Sequence, residues 1–262
     1  MRFFVRTLIL FFILLTSFSF ADEFPAFRFV DGEELTFRVN YSFFNLGTIT
    51  AQVNHDGEKD GLKTFHIHLT ITSNPLLFWV NNQSAYDSYI DENLRPLKFI
   101  TNEKVDGKPY KAEYLFDYTA KRMERLLLPV DDSDSTKHDY LPIKPNMIDG
   151  ISLIFYARSQ VHQQRKDTVN TFIENNSGDV IFDFMNKEQV TDTDELPEGI
   201  KTAYFKGLLN IKGIAGVSGP FEAYFSRDAS RVPLKSYLEV FIGHVTITLV
   251  KWKGWKPLEL IE

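Results

Sequence analysis

His66 and His68 form an H-x-H pair within an alternating run, so on a strand their imidazoles stand side by side on one face, as in some two-histidine metal sites. A metal needs at least one further ligand. His55, His138, His162, His244 or a carboxylate would have to supply it, and none stands at a diagnostic spacing. The pair is therefore expected on a solvated strand face, with no metal and no cofactor. Asp131, Asp132, Asp134 and Asp139 resemble a calcium loop in charge alone, because the central glycine and the bidentate glutamate of an EF-hand are missing. A solvated acidic loop is expected there. Gly213, Gly216 and Gly219 lack the Lys-Ser/Thr ending of a phosphate-binding loop and do not fit G-x-G-x-x-G. Gly216-Val217-Ser218-Gly219 likewise departs from the G-x-S-x-G nucleophile elbow. With no cysteine in the chain, thiolate nucleophiles, thiolate zinc sites, iron-sulfur clusters, disulfides and a lipid-modified N-terminal cysteine are all excluded. No catalytic residue is assigned.

Apolar side chains offer a different chemistry. Leu76-Leu77-Phe78-Trp79-Val80 is a run of five apolar residues after Asn74-Pro75 that matches neither an alternating strand nor a long amphipathic helix. It forms either a lip at a cavity mouth or a short turn packed into the core. Tyr110, Tyr114 and Phe116 belong to an unusually aromatic strand face. Ligand sites are concave and lined by such groups, so Leu76, Phe78, Trp79, Tyr110, Tyr114 and Phe116 are the expected lining of a site for a lipid or other amphiphile. The same aromatics would fill an ordinary core equally well. Arg158 follows the apolar face of a helical segment and is expected either to pair with Asp87 or Asp91 or to reach solvent.

The elements that must position these residues are mostly strands. Leu35, Phe37, Val39, Tyr41 and Phe43 alternate with Glu34, Thr36, Arg38, Asn40 and Ser42, and after a break at Asn45-Leu46-Gly47 the alternation resumes through Ile49, Ala51 and Val53. A hairpin is expected. Phe65, Ile67, Leu69 and Ile71 form the next dry face, then Tyr110 to Tyr118, and the C-terminal third repeats the pattern around Phe221 to Phe225, Val232 to Val240 and Val245 to Leu249. One stretch departs from the strand period. From about 147 to 160, Ile148, Ile151, Ile154 and Phe155 recur at helical spacing, with Pro142 and Pro145 before them and Asp149 near the start. Mainly β architecture follows: a curved antiparallel sheet or incomplete β-barrel of ten or so strands, with one helix (about 147–160) covering an edge or plugging the concave face.

The 262 residues are 44% hydrophobic and 24% charged, which is globular composition with enough apolar material for a core. The formal net charge of -6 gives no electrostatic footprint for a nucleic-acid backbone, so nucleic acid is not an expected partner. Residues 1–21 combine Arg2 and Arg6, an apolar stretch and Ser19-Phe20-Ala21, which is the pattern of a cleaved secretory signal. The apolar stretch falls short of the roughly 20 residues needed to span a bilayer, and no later segment would span as a helix. Residues 22–262 then read as a single mainly-β domain, since no linker, repeat or composition shift divides them. The expected location is the periplasm.

The chain resembles a family of bacterial exported proteins catalogued as domain of unknown function 3108. The resemblance lies in Phe29-Val30-Asp31-Gly32-Glu33-Glu34-Leu35-Thr36-Phe37-Arg38-Val39-Asn40-Tyr41 with Phe44 and Gly47, and in Asp91 to Pro96-Leu97. It continues in Asp149-Gly150-Ile151-Ser152 with Tyr156-Ala157-Arg158, and in Phe225-Ser226-Arg227-Asp228 to Arg231-Val232-Pro233-Leu234. It implies an envelope location and a mainly β fold, and brings no catalytic activity with it.

Three readings of function remain at this point. The first is a non-enzymatic periplasmic protein that binds an apolar or amphiphilic envelope molecule within the curved sheet. The alternative is an envelope assembly or scaffold partner with a filled core, and the third is a metal-dependent hydrolase built on His66 and His68. An outer-membrane barrel shares the alternation, but Lys251, Lys253 and Lys256 in the aromatic tail, the helical interruption and the terminal Glu262 argue against it.

Overall fold

A computed structural model describes residues 26–76, 83–105, 108–128, 135–173, 176–213, 217–240 and 243–258. The alternation read from the sequence produces a long run of strands: β1 Glu33–Tyr41, β2 Phe44–Lys59, β3 Leu62–Ser73, β4 Gln83–Asp91, β5 Pro96–Val105, β6 Lys108–Asp117, β7 Arg122–Leu127 and β8 Lys137–Pro142. After the short β9 Ile148–Asp149 comes the helix α1 Ser152–Gln160, followed by β10 Gln164–Ile173, β11 Asn176–Thr193, β12 Leu196–Leu209, β13 Gly219–Ser226, β14 Pro233–Glu239 and β15 His244–Lys253. Fifteen strands form one sheet in the order β8-β7-β6-β5-β4-β3-β2-β1-β15-β14-β13-β12-β11-β10-β9. Every neighbouring pair is antiparallel except β9 with β10.

This order explains the curvature. The chain runs outward from β1 to one edge at β8, then passes to the opposite edge at β9 and returns strand by strand to β15 beside β1. Only residues 143–147 connect the two edges, a reach of roughly 18 Å even when extended, so the sheet must curl until its edges approach. Tyr118 Oη donates to the Met147 carbonyl at 3.1 Å, and Ser88 on β4 donates to Asp149 on β9 at 2.6 Å. Among the described residues no ladder joins β8 to β9, and the result is an incomplete barrel.

Phe37 and Val39 face the concave interior, as their alternation requires. Three groups of buried side chains fill most of that interior. One gathers β3 to β7 around Ile67, Tyr86, Phe99 and Tyr114, a second gathers β10 to β13 around Phe182, Phe184 and Phe205, and a third joins Leu35, Leu234 and Leu249.

Three local features differ from the sequence reading. The first hairpin turns at Ser42-Phe43, where Ser42 has φ 52°, rather than at Asn45-Leu46-Gly47. Gly47 instead sits inside β2 at φ 151°, where a Cβ would lie 2.2 Å from the Thr72 carbonyl oxygen of the adjacent strand. The helix begins at Ser152 instead of about 147, because Ile148 and Asp149 are drawn into a two-residue parallel pairing with β10. Asp139 belongs to β8, where Arg125 binds its carboxylate through Nε at 2.8 Å, while the other aspartates of the expected acidic loop lie outside the described residues.

Candidate functional site

The helix is the part of the interior that the sheet alone would not dictate. Its N-terminus is held by Asp149, whose Oδ1 accepts from the backbone N–H groups of Ile151 and Ser152, both at 2.8 Å. Oδ2 accepts from the hydroxyls of Ser88 at 2.6 Å and Ser152 at 2.9 Å, so four donors converge on one carboxyl with no solvent exposure. Burial pushes this carboxyl above its ordinary range, and the four hydrogen bonds oppose that rise without cancelling it. At the other end, Arg231 donates through Nη1 to the carbonyls of Arg158 at 3.0 Å and Ser159 at 2.8 Å, placing a cation where the helix dipole favours one. Burial pulls the Arg231 guanidinium below its ordinary value, and nearby Arg158 adds to that effect against the opposing field of Asp228.

Between these ends, Arg158 anchors the helix to the middle of the sheet. Its Nη1 and Nη2 donate to the two carboxylate oxygens of Glu33 on β1, at 2.7 and 2.8 Å, and Nε donates to the Ser230 carbonyl at 2.9 Å. This corrects the expectation that Arg158 meets Asp87 or Asp91, or reaches solvent. Asp91 holds Arg95 at 2.8 Å, Asp87 lies beside two histidines, and Arg158 itself is 1% exposed. The fork geometry of a guanidinium suits a carboxylate that is otherwise cut off from water.

Ile151 and Phe155 pack into the first core group, and Leu153 and Ala157 into the second, so α1 acts as a wedge between the two halves of the sheet. Beneath the wedge a cavity of about 350 Å³ remains. Leu35, Phe37, Val39, Ala51, Leu69 and Ile71 form its wall from β1 to β3. Phe205, Phe221, Ala223, Leu238 and Ile247 face them from the returning half. Apart from the mutually paired Glu33 and Arg158, the only polar side chains among the described lining residues are Lys235 and Ser236. Such a surface binds by removing apolar area from water, at roughly 25 cal/mol per Å². Its volume falls in the lower part of the range of about 300–1,000 Å³ usual for ligand pockets.

The residues proposed from the sequence do not gather here. Tyr110, Tyr114 and Phe116 belong to the first core group, and none of them lines the cavity. Tyr114 is fully buried against Phe172, with ring centroids 4.8 Å apart, and burial together with the Tyr110 hydroxyl at 2.7 Å drives its phenol far above the usual range. Phe78 and Trp79 lie outside the described residues. Leu76 is 83% exposed; its N–H donates to the Asn74 side chain, and Asn74 in turn holds the Asn45 and Leu46 carbonyls beside the first hairpin turn. Phe43, at that turn, is 84% exposed and lies against Phe44, with ring centroids 4.2 Å apart and planes tilted by 36°. At the same end of the sheet the cavity residues Val39, Ile71 and Val245 are only partly buried, so Leu76 and Phe43 stand near the cavity's open side rather than in its wall.

A curled antiparallel sheet wrapped around one helix and an apolar cavity defines a β-barrel-like protein with an internal compartment. Within that class, the chain belongs to the family described as proteins of unknown function, DUF3108, whose family model matches residues 36–250. No curated protein matches the sequence. Among solved structures, the chain is similar to a beta-barrel-like protein of domain of unknown function DUF1849 from Brucella abortus. That similarity has 10% identity, covers 86% of this chain and 98% of that one, and gives a TM-score of 0.54. A protein from Bacteroides fragilis described as exported, with a YmcC-like fold, aligns at 11% identity over 87% of this chain and 99% of that one, with a TM-score of 0.34. The Brucella similarity is one of fold alone.

Proposed function

We propose that this chain is a non-enzymatic carrier or receptor, exported to the periplasm, that holds the apolar portion of an amphiphilic envelope molecule in the cavity beneath α1. The observation behind this reading is the cavity itself: about 350 Å³ of apolar space bounded by sheet and helix, lying between groups of buried side chains. Each buried methylene of an acyl chain adds about 0.8 kcal/mol of favourable transfer, so about ten carbons lying between Phe37 and Phe205 gain roughly 8 kcal/mol, the scale of a micromolar complex. Ser236, in phase with the cavity residues Ala223 and Ile247, offers a polar contact to a headgroup that stays near water. The cavity also weighs against the alternative of an assembly partner with a filled core. Export is supported by the signal-like residues 1–21, which lie outside the described residues.

The test is to purify the chain from the periplasmic fraction, determine its N-terminus, and extract it with organic solvent. The expected N-terminus is Asp22, with a lipid recovered in near-stoichiometric amount by mass spectrometry. Ala51→Trp, which projects an indole into the cavity from β2, is expected to reduce that recovery by about tenfold or more while the thermal midpoint stays within a few degrees of wild type. An extract without lipid, together with no binding of fluorescent fatty-acyl probes, would refute the ligand reading.

A further inference from the structure

The interior cavity leaves the outer face of β3 unexplained. His66 and His68 stand there two residues apart, with Ile67 between them pointing inward to the cavity. The antiparallel register sets Asp87 of β4 directly opposite His68, and Tyr89 opposite His66. The side chains close on one point: His66 Nε2 and His68 Nδ1 each lie 2.7 Å from the same oxygen of Asp87, and the three atoms fall within 4.8 Å of one another. We infer that His66, His68 and Asp87 form a binding site for a divalent transition-metal ion, with zinc the representative case.

Two imidazole nitrogens and one carboxylate oxygen are the donor set preferred by Zn²⁺, Cu²⁺ or Ni²⁺, whereas Ca²⁺ and Mg²⁺ select oxygen-rich sites. Zinc bonds of about 2.0–2.1 Å at tetrahedral angles place neighbouring ligand atoms about 3.3 Å apart, so each histidine–Asp87 contact of 2.7 Å opens by some tenths of an ångström, and the two histidine nitrogens, which lie within 4.8 Å of one another, settle to the same spacing by side-chain rotation. The scaffold restricts the ligands in advance. Both histidines and Asp87 are fixed by paired strands, and the His66 ring stacks on Tyr89 with centroids 4.5 Å apart and planes 10° from parallel. The nearest lysine on β5, Lys98, is held by Glu113 at 2.9 Å instead of competing for Asp87. Side-chain exposures of 25–34% leave a path for the ion and room for water or a donor from another molecule to complete the coordination. The site and the cavity occupy opposite faces of the same strand, so the metal inference does not depend on the lipid reading.

The experiment titrates the purified, chelator-stripped chain with Zn²⁺ alone by calorimetry, and with Co²⁺ followed by its visible d–d absorption. One equivalent at micromolar dissociation constant is expected. His68→Gln and Asp87→Asn are each expected to weaken binding by about tenfold or more, while His138→Gln, at a histidine paired with Glu124 on another strand, leaves it unchanged. Near-UV circular dichroism checks that each variant is folded, and His66→Gln provides an independent ligand removal if either of the first two is not. Zinc affinity unaltered in folded His68→Gln and Asp87→Asn variants, or no uptake up to millimolar zinc, would overturn the inference.

Discussion

Replacing Arg158 with alanine is expected to lower the unfolding free energy by about 3–5 kcal/mol, measured by urea denaturation at neutral pH. The reason lies in what remains behind. Glu33 is 2% exposed and loses both of its guanidinium hydrogen bonds, while the Ser230 carbonyl loses two donors. No other cation is bonded to the Glu33 side chain among the described contacts, so the carboxylate is stranded in a low-dielectric interior. The guanidinium also lies 5.0 Å from the Phe155 ring centroid and 5.3 Å from that of Phe27, contacts that vanish with it. Arg158→Lys is expected to recover little, since a single ammonium cannot reproduce the fork. Changing both partners, Glu33→Leu with Arg158→Met, is expected to restore much of the loss, because the pair is removed together with its desolvation cost. A loss below about 1 kcal/mol in Arg158→Ala would show the pair to be as weak as a surface ion pair.

That pair also marks how far the sequence could be read. Glu33 is in phase with Leu35, Phe37 and Val39, and Arg158 falls seven residues after Ile151 on the apolar side of the helix. Each is a charge at a position whose period assigns it to the interior, and that was a usable signal for a buried ionic contact. Their partnership was not readable, because 125 residues separate them and only the approach of the helix to β1 brings them together. The same division runs through the candidate sites. The period of two correctly put His66 and His68 on one outer face, yet Asp87 joins them only through the β3–β4 register. Alternation grouped Tyr110, Tyr114 and Phe116 on a dry face, but an aromatic face is equally suited to a core, and it was the wedge-like helix that decided which part of the interior stayed open. Phe43 kept the period of β1 on paper and left it in space, because the turn begins at Ser42.

Asp149 carries the second large effect, and its size depends on pH. Asp149→Ala removes the acceptor for two backbone N–H groups at the start of α1 and for two buried serine hydroxyls, and is expected to destabilise the protein by about 2–4 kcal/mol. Asp149→Asn keeps the shape and one carbonyl acceptor for the backbone, while its amide donates to the Ser88 and Ser152 oxygens, so its stability at neutral pH is expected within about 1 kcal/mol of wild type. The two variants also differ in what they do to the pH profile. Burial raises the carboxyl of Asp149 in the folded protein above its ordinary value of 3.8, so the folded state holds this proton more tightly than the unfolded chain does. The resulting stabilisation is fully present below the ordinary carboxyl value and is lost as pH rises through the raised folded value. Wild type should therefore lose stability relative to Asp149→Asn as pH is increased from about 4, even while exposed ion pairs such as Arg38 with Asp194 contribute to both proteins alike. Urea midpoints of the two proteins, measured in parallel along the pH series, isolate this one carboxyl. A difference that stays constant with pH would mean that the four donors fully offset the burial penalty, and one that grows in favour of wild type as pH rises would mean that they outweigh it; either result overturns the expected profile.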